Sequence, residues 1–304
     1  MKKLILALAV FNLAVLLHAQ KSINITYIAN DGFLISCESG NILIDALFKV
    51  PPQIPGRKSV DGVGSDGVGH AKHAREDSPD VSPGFRSNNS FGEYDMPSEQ
   101  LRKEIIEGNS PFGKVNLYLV THMHGDHFFA PYVIDFLKNH TETQFLSSDQ
   151  VCQNLSGEKS IKKQLNCFSI EVGGQADTTI QKIPIKIYRV KHLHDDSGNI
   201  AINLAFLITL NNFKILHIGD APIDYNKSYY DQFHLEKEKI DIVFQGASIS
   251  EVTKQFIQEV IKPKYIIAMH IPPKDIEIES KNFLGFYPNG LVFMKPLEKK
   301  TLAK

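Results

Sequence analysis

One stretch of this chain restricts its fold more than any other. The run Val115-Asn116-Leu117-Tyr118-Leu119-Val120 passes directly into Thr121-His122-Met123-His124-Gly125-Asp126-His127. Its apolar, partly β-branched character predicts a strand over 115–120. In extended backbone, residues two apart point the same way, so His122, His124 and Asp126 can converge. Gly125 removes a side chain where the turn tightens, and His127 comes round from the start of the next segment. Imidazoles with a carboxylate are the donor set accepted by Zn²⁺, and also by Fe or Mn. A chain built around such a strand end needs other strands to bring further ligands to the same place.

Three later strand ends offer them. His192-Leu193-His194-Asp195-Asp196 closes the predicted strand 183–190. Leu216-His217-Ile218-Gly219-Asp220-Ala221 closes the strand 214–218, with Asp220 at its tip. Ala268-Met269-His270-Ile271-Pro272-Pro273 closes the strand 264–269, with His270 at its tip. Each lies where a strand gives way to a loop, the usual location of sites in open α/β folds. His217 falls within its strand and reads as a core histidine. His140 and His234 have no partners at ligand spacing and read as surface residues.

Composition removes competing classes. With 33 basic and 34 acidic residues the net charge is −1, which disfavours a nucleic-acid binder that must neutralise phosphates. The 42% hydrophobic content suits an ordinary globular core. Cys37, Cys152 and Cys167 are too few for a disulfide scaffold and form no CxxC pair. In an oxidising compartment, one pair could bridge and leave the third thiol free. No Ser-His-Asp arrangement, P-loop or GxGxxG competes with the histidine site.

The chain opens on Met1-Lys2-Lys3, an apolar run over 4–17, and His18-Ala19-Gln20. That is the shape of a secretory signal peptide, and the run is shorter than the roughly 20 residues that span a bilayer. The expected product is an exported, periplasmic or secreted chain starting near residue 21, with no membrane partner after cleavage. Short strands over 23–27, 32–36 and 42–45 follow, separated by Asn30-Asp31-Gly32 and Ser39-Gly40-Asn41 turns. Between Arg57 and Asp95 there is no Leu or Ile, and Gly, Ser, Pro, Asp and Asn dominate. This reads as a disordered insert over 57–95, either passive or lying over the site as a lid, and the passive reading is preferred. His70 and His73 within it read as solvated loop residues.

Order returns with a helix capped by Ser98 and ended by Gly108. A second helix is expected over 131–139, a strand over 143–147, and a short helix over 149–155. Further strands are expected over 201–209 and 240–244, with Asn211-Asn212 as a hairpin turn. An amphipathic helix over 251–261 stops before Pro263, and a last strand covers 291–294. Strands followed by mixed strands and helices, twice over, predict two packed sheets with helices outside.

HMHGDH, then a strand-end His, then GDA, then MHIPP resembles the metallo-β-lactamase-fold metallo-hydrolase superfamily. The resemblance covers the chain from about residue 21 apart from the insert. It implies an α/β fold, the four-layer αββα sandwich, as one domain over 21–304. It implies one metal held by His122, His124 and a strand-end His, and a second held by Asp126, His127 and His270, with Asp220 bridging. Of the two strand-end candidates His194 is preferred, because it sits furthest along, and His192 is the alternative. Asp45 in Ile42-Leu43-Ile44-Asp45 matches the buried Asp that supports the metal loop. The implied cofactors are two divalent ions, Zn²⁺ first, with Fe or Mn as alternatives. The implied activity is a hydrolase that directs a metal-bridging hydroxide at an ester, lactone or phosphodiester of a small molecule, with Asp126 as catalytic proton acceptor. The alternative is a non-hydrolytic metal-binding or di-iron redox protein on the same scaffold.

Overall fold

The computed structural model describes residues 21–49, 96–193, 195–197, 200–247 and 249–304. The signal-peptide reading over 1–20, the insert with His70 and His73, and His194 lie outside the described residues.

Fourteen strands form two seven-stranded sheets among the described residues. The first half of the chain supplies β1 (Ser22–Ala29), β2 (Gly32–Cys37), β3 (Gly40–Ile44), β4 (Leu117–Leu119), β5 (Gln144–Ser148) and β6 (Leu165–Phe168). The second supplies β7 (Gln175–Ile180), β8 (Ile183–Lys191), β9 (Ile202–Leu210), β10 (Phe213–His217), β11 (Ile242–Gly246), β12 (Tyr265–Met269) and β13 (Gly290–Leu291). The last strand, β14 (Lys299–Ala303), returns to the first sheet and pairs antiparallel with β1. The first sheet runs β14-β1-β2-β3-β4-β5-β6 and the second β13-β12-β11-β10-β9-β8-β7. Each begins as an antiparallel meander and continues as parallel strands. The strands that flank the insert, β3 and β4, are direct neighbours.

Side-chain alternation explains the layering. On β2, β3 and β4, Phe33, Ile35, Ile42, Ile44, Leu117 and Leu119 face the second sheet, and Leu34, Leu43 and Tyr118 face the other way. Parallel strands are covered on both faces, so these segments read as continuous apolar runs. The outward set is covered by α1 (Glu99–Glu107) and α2 (Ala130–Asn139) through Leu101, Ile105, Val133, Phe136 and Leu137. Tyr118 packs edge-on against Phe136 and Phe145, and its hydroxyl accepts from Leu47 N–H at 3.0 Å. The chain thus has the αββα sandwich architecture.

The predicted ends of α1 are those observed. Ser98 accepts from Leu101 N–H, and Gly108 closes the helix at φ 72°. His140 differs from its sequence reading as a surface residue. Its ring stacks on Phe136 at 4.1 Å and its Nε2 lies 3.2 Å from the Ile106 carbonyl, joining α2 to α1. His234 is on the surface. A short helix α3 (Asp149–Gln153) precedes β6, and Cys152 is bonded to Cys167 across that connection. Helix α4 (Lys227–Gln232) follows β10. The helix expected over 251–261 is α-helical over Glu251–Gln255 (α5) and continues as π-helix over Phe256–Ile261. Helix α6 (Ile276–Phe286), β6, β7 and β14 have no counterpart in the sequence reading. Their stripes are weak: β7 is Gln175-Ala176-Asp177-Thr178-Thr179-Ile180, an edge strand half in solvent.

Candidate metal centre

The parallel neighbours β3 and β4 place Asp45 beside the loop that follows β4. Asp45 N–H donates to the Leu119 carbonyl at 3.1 Å. The wholly buried Asp45 carboxylate then organises that loop. Oδ1 accepts from Thr121 N–H at 2.8 Å, and Oδ2 accepts from Thr121 Oγ1 at 2.6 Å and meets His127 Nδ1 at 3.0 Å. The loop closes on itself through His127 N–H and Phe128 N–H, which both donate to the His124 carbonyl.

Two clusters of potential ligands result. His122, His124 and His192 have ligand atoms within 4.8 Å of one another, and so do those of Asp31, His127, Asp220 and His270. Asp220 lies between them. Its Oδ1 is 3.4 Å from His127 Nε2, and its Oδ2 is 3.3 Å from His270 Nε2 and 3.6 Å from His192 Nε2. Asp126 reaches the second cluster, with Oδ2 at 3.4 Å from His270 Nε2 and 3.7 Å from His127 Nε2. Of the place left open between His194 and His192, the described residues bring in His192, the alternative and not the preferred residue. It follows directly on the last residue of β8, and Leu193 N–H beside it donates to the Asp220 carbonyl at 2.8 Å, which anchors that step of the chain at the site.

The supporting loops cross between the sheets. Leu204 N–H donates to the Thr121 carbonyl at 2.9 Å, joining β9 to the loop after β4. Asn203 accepts from Asp220 N–H at 3.1 Å and donates to the Ile218 carbonyl at 3.0 Å. Gly219, at φ 57°, fits there because a Cβ would stand 2.5 Å from Asn203 Oδ1 and 2.8 Å from Thr121 Cβ. His270 N–H reaches the Asn30 carbonyl at 3.5 Å, and Asn30 Nδ2 donates to the Asp126 carbonyl at 3.3 Å.

Hydrogen bonding fixes which nitrogen each imidazole turns to the centre. His127 Nδ1 is taken by the Asp45 carboxylate. Thr121 Oγ1 donates to Asp45, so it accepts from His122 Nδ1–H at 3.1 Å. His192 Nδ1–H donates to the Leu193 carbonyl at 2.7 Å. In all three Nε2 is directed inward, and none of these buried Nε2 atoms has a hydrogen-bond partner. Buried acceptors that converge without a donor fit a cation.

The charges agree. Burial pushes the His122 pKa well below the usual histidine range, and it pushes His124 down to about 4, so both are neutral ligands at pH 7. Burial raises the Asp31 carboxyl to about 8. Against its burial, His270 and His127 hold the Asp220 carboxyl well below the usual range. Burial would lower His127, but Asp220 and Asp126 hold it well above the histidine range. Asp31, Asp126 and Asp220 together make a carboxylate-rich pocket in which a cation would be stabilised. His217 is buried, accepts from Gly219 N–H at 3.3 Å and is lowered to about 4 by burial, so it serves as a neutral core residue.

Asp31 was read from sequence only as a turn former. The signal that could have marked it is its place between the apolar strands β1 and β2, where a turn Asp flanked by buried residues is unusual.

No protein-family model matches the chain. The fold is similar to that of several solved structures. A possible metal-dependent hydrolase from Veillonella parvula superposes with TM-score 0.56 at 12% identity, covering 93% of this chain and 100% of the other. Igni18, a metallo hydrolase from Ignicoccus hospitalis, gives 0.54 at 13% identity over 93% of this chain and 99% of the other. The isothiocyanate hydrolase from Delia radicum gut bacteria gives 0.52 at 13% identity over 92% and 100%. The two-sheet sandwich is shared with these proteins.

Proposed function

We propose that this chain is an exported, dinuclear metal-dependent hydrolase of a small-molecule ester, lactone or phosphodiester. The observation that supports it most is Asp220, whose two carboxylate oxygens face ligands of both clusters. His122, His124 and His192 would hold one ion, and Asp126, His127 and His270 the other. Divalent ions bound there would supply Lewis acidity and lower the pKa of water towards neutrality. Zn²⁺ suits the three-imidazole position, and Fe or Mn could serve in its place.

The chain's own groups do the rest. Asp45 holds His127 and, through Thr121, His122 in the tautomers that leave Nε2 unprotonated. Asp126 is almost wholly buried, and its Oδ1 has no hydrogen-bond partner. It is the group placed to take a proton from an attacking water and return it to a leaving oxygen. His124, His270 and Asp220 are the partly exposed members, so substrate would arrive from their side. A fold relative that hydrolyses isothiocyanates is compatible with attack on an electrophilic carbon.

Export accords with the leader-like start, and the Cys152–Cys167 bond suits an oxidising compartment. Among the described residues no helix is long and apolar enough to cross a membrane. The test is metal analysis of the purified protein together with lactone, phosphodiester, thioester and β-lactam panels. Two Zn²⁺ per chain with turnover on one panel supports the reading. Two iron per chain with no hydrolysis would replace it with the metal-binding or redox alternative.

A further inference from the structure

We propose that Asp31 is a ligand of the second cation, alongside His127, Asp220 and His270. The proposal rests on the dinuclear reading above. It makes the second position rich in carboxylate, whereas its neighbour is built on imidazole.

Asp31 occupies the turn between β1 and β2, where an Asp ordinarily faces solvent and bonds its own backbone. Here it does neither. It is wholly buried, and neither carboxylate oxygen has a hydrogen-bond partner. His127 Nε2 lies 3.8 Å from its Oδ2. The turn is pressed inward by design of the backbone. Asn30 sits at φ 47°, and a Cβ on Gly32 would come within 2.8 Å of the Asp45 carbonyl and 2.9 Å of the Ala29 carbonyl. Asn30 also ties the turn to His270 and to Asp126. The Asp31 carboxylate is therefore fixed between the two loops that supply the second cluster.

Burying a carboxylate with no donor is strongly unfavourable unless it pairs with a cation. The ligand atoms of Asp31, His127, Asp220 and His270 lie within 4.8 Å of one another. Ligand bonds of roughly 2.0–2.2 Å put two ligands of one ion up to about 4.4 Å apart, so a small contraction suffices. Added oxygen donors favour harder divalent ions at this position, Mn²⁺ or Fe²⁺ as well as Zn²⁺.

The competing account is a carboxyl group that merely fills space. Wild type, Asp31→Asn and Asp31→Ala separate the two. Each protein is stripped with chelator and reloaded with Zn²⁺ or, separately, Mn²⁺. After dialysis, ions per chain are counted by mass spectrometry, affinities are measured by competition, and the stripped proteins are melted. The expected result is two ions in wild type and one in Asp31→Asn, with affinity for the lost ion down at least tenfold. The stripped variants should melt no lower than stripped wild type, because the change removes a buried carboxyl group whose oxygens have no hydrogen-bond partner. Two ions in Asp31→Asn, with affinities within threefold of wild type, would overturn the proposal. Metal loss accompanied by a large drop in the melting temperature of both stripped variants would also overturn it, in favour of a structural role. Fewer than two ions in wild type would instead overturn the dinuclear reading and this proposal with it.

Discussion

Replacing Asp45 by Asn tests whether the centre is pre-organised from beneath. The change is nearly isosteric, and Asn tolerates the left-handed backbone that Asp45 adopts at φ 40°. What changes is one acceptor. In wild type, Oδ1 and Oδ2 receive three donors, from Thr121 N–H, Thr121 Oγ1 and His127 Nδ1. If the new amide nitrogen faces Thr121 N–H, two donors oppose one another across the 2.8 Å that Oδ1 now spans. If it takes the Oδ2 place, His127 Nδ1 must become an acceptor, so its proton moves to Nε2 and points into the centre. Thr121 Oγ1 must then also find a new acceptor, and His122 Nδ1 is the neighbour available at 3.1 Å. That turns His122 the wrong way as well. Loss of such an orienting partner typically costs 10–100-fold in metal affinity, or about 1.4–2.7 kcal/mol. The measurement is Zn²⁺ competition against a chromophoric chelator on stripped wild type and variant, with folding checked by circular dichroism. A folded Asp45→Asn protein whose two affinities both lie within threefold of wild type would refute the tautomer argument.

Three further outcomes follow from the same structure. His192→Ala should leave one of two ions after dialysis and His194→Ala should keep both; the reverse pattern in metal analysis would return the ligand to His194. Replacing residues 57–90 by a short Gly/Ser linker should barely change the melting temperature, since loop-closure cost grows slowly with length; a large drop would show that the insert packs on the core. Glu238 is lowered, against its partial burial, by hydrogen bonds from Lys186 and Lys214 at 2.6 and 2.8 Å. A depressed carboxylate contributes stability above its unfolded pKa of about 4.3 and loses it as pH falls through the folded value. Glu238→Gln should therefore cost about 0.2–1 kcal/mol at pH 7 and nothing at pH 3, read from urea midpoints at both pH values; an equal cost at both would remove the ionic explanation.

Local chemistry was legible in the chain before folding. The apolar run 115–120 followed by three histidines and an aspartate sets a strand with convergent side chains, because strand periodicity is local. Ser98 and Gly108 set the ends of α1, and Asn211-Asn212, both at positive φ, set the hairpin between β9 and β10, because caps and turns depend on a few adjacent residues. The weakly patterned β7 and β14 were invisible for the converse reason. Their strands exist by pairing at sheet edges, with β14 joining a β1 that lies at the other end of the chain. The approach of His192 to Asp220 belonged to tertiary structure too, since among the described residues the Leu193–Asp220 hydrogen bond anchors that step of the chain beside the second sheet's other ligands. Asp31 shows the limit most sharply. In sequence it is the middle of Asn30-Asp31-Gly32, an ordinary turn, and it becomes a candidate ligand because β2, paired with both β1 and β3, holds that turn close against the backbone at Asp45. Sequence spacing fixes which way neighbouring side chains point, whereas convergence of residues as distant as 31, 127, 220 and 270 is a property of how two sheets meet.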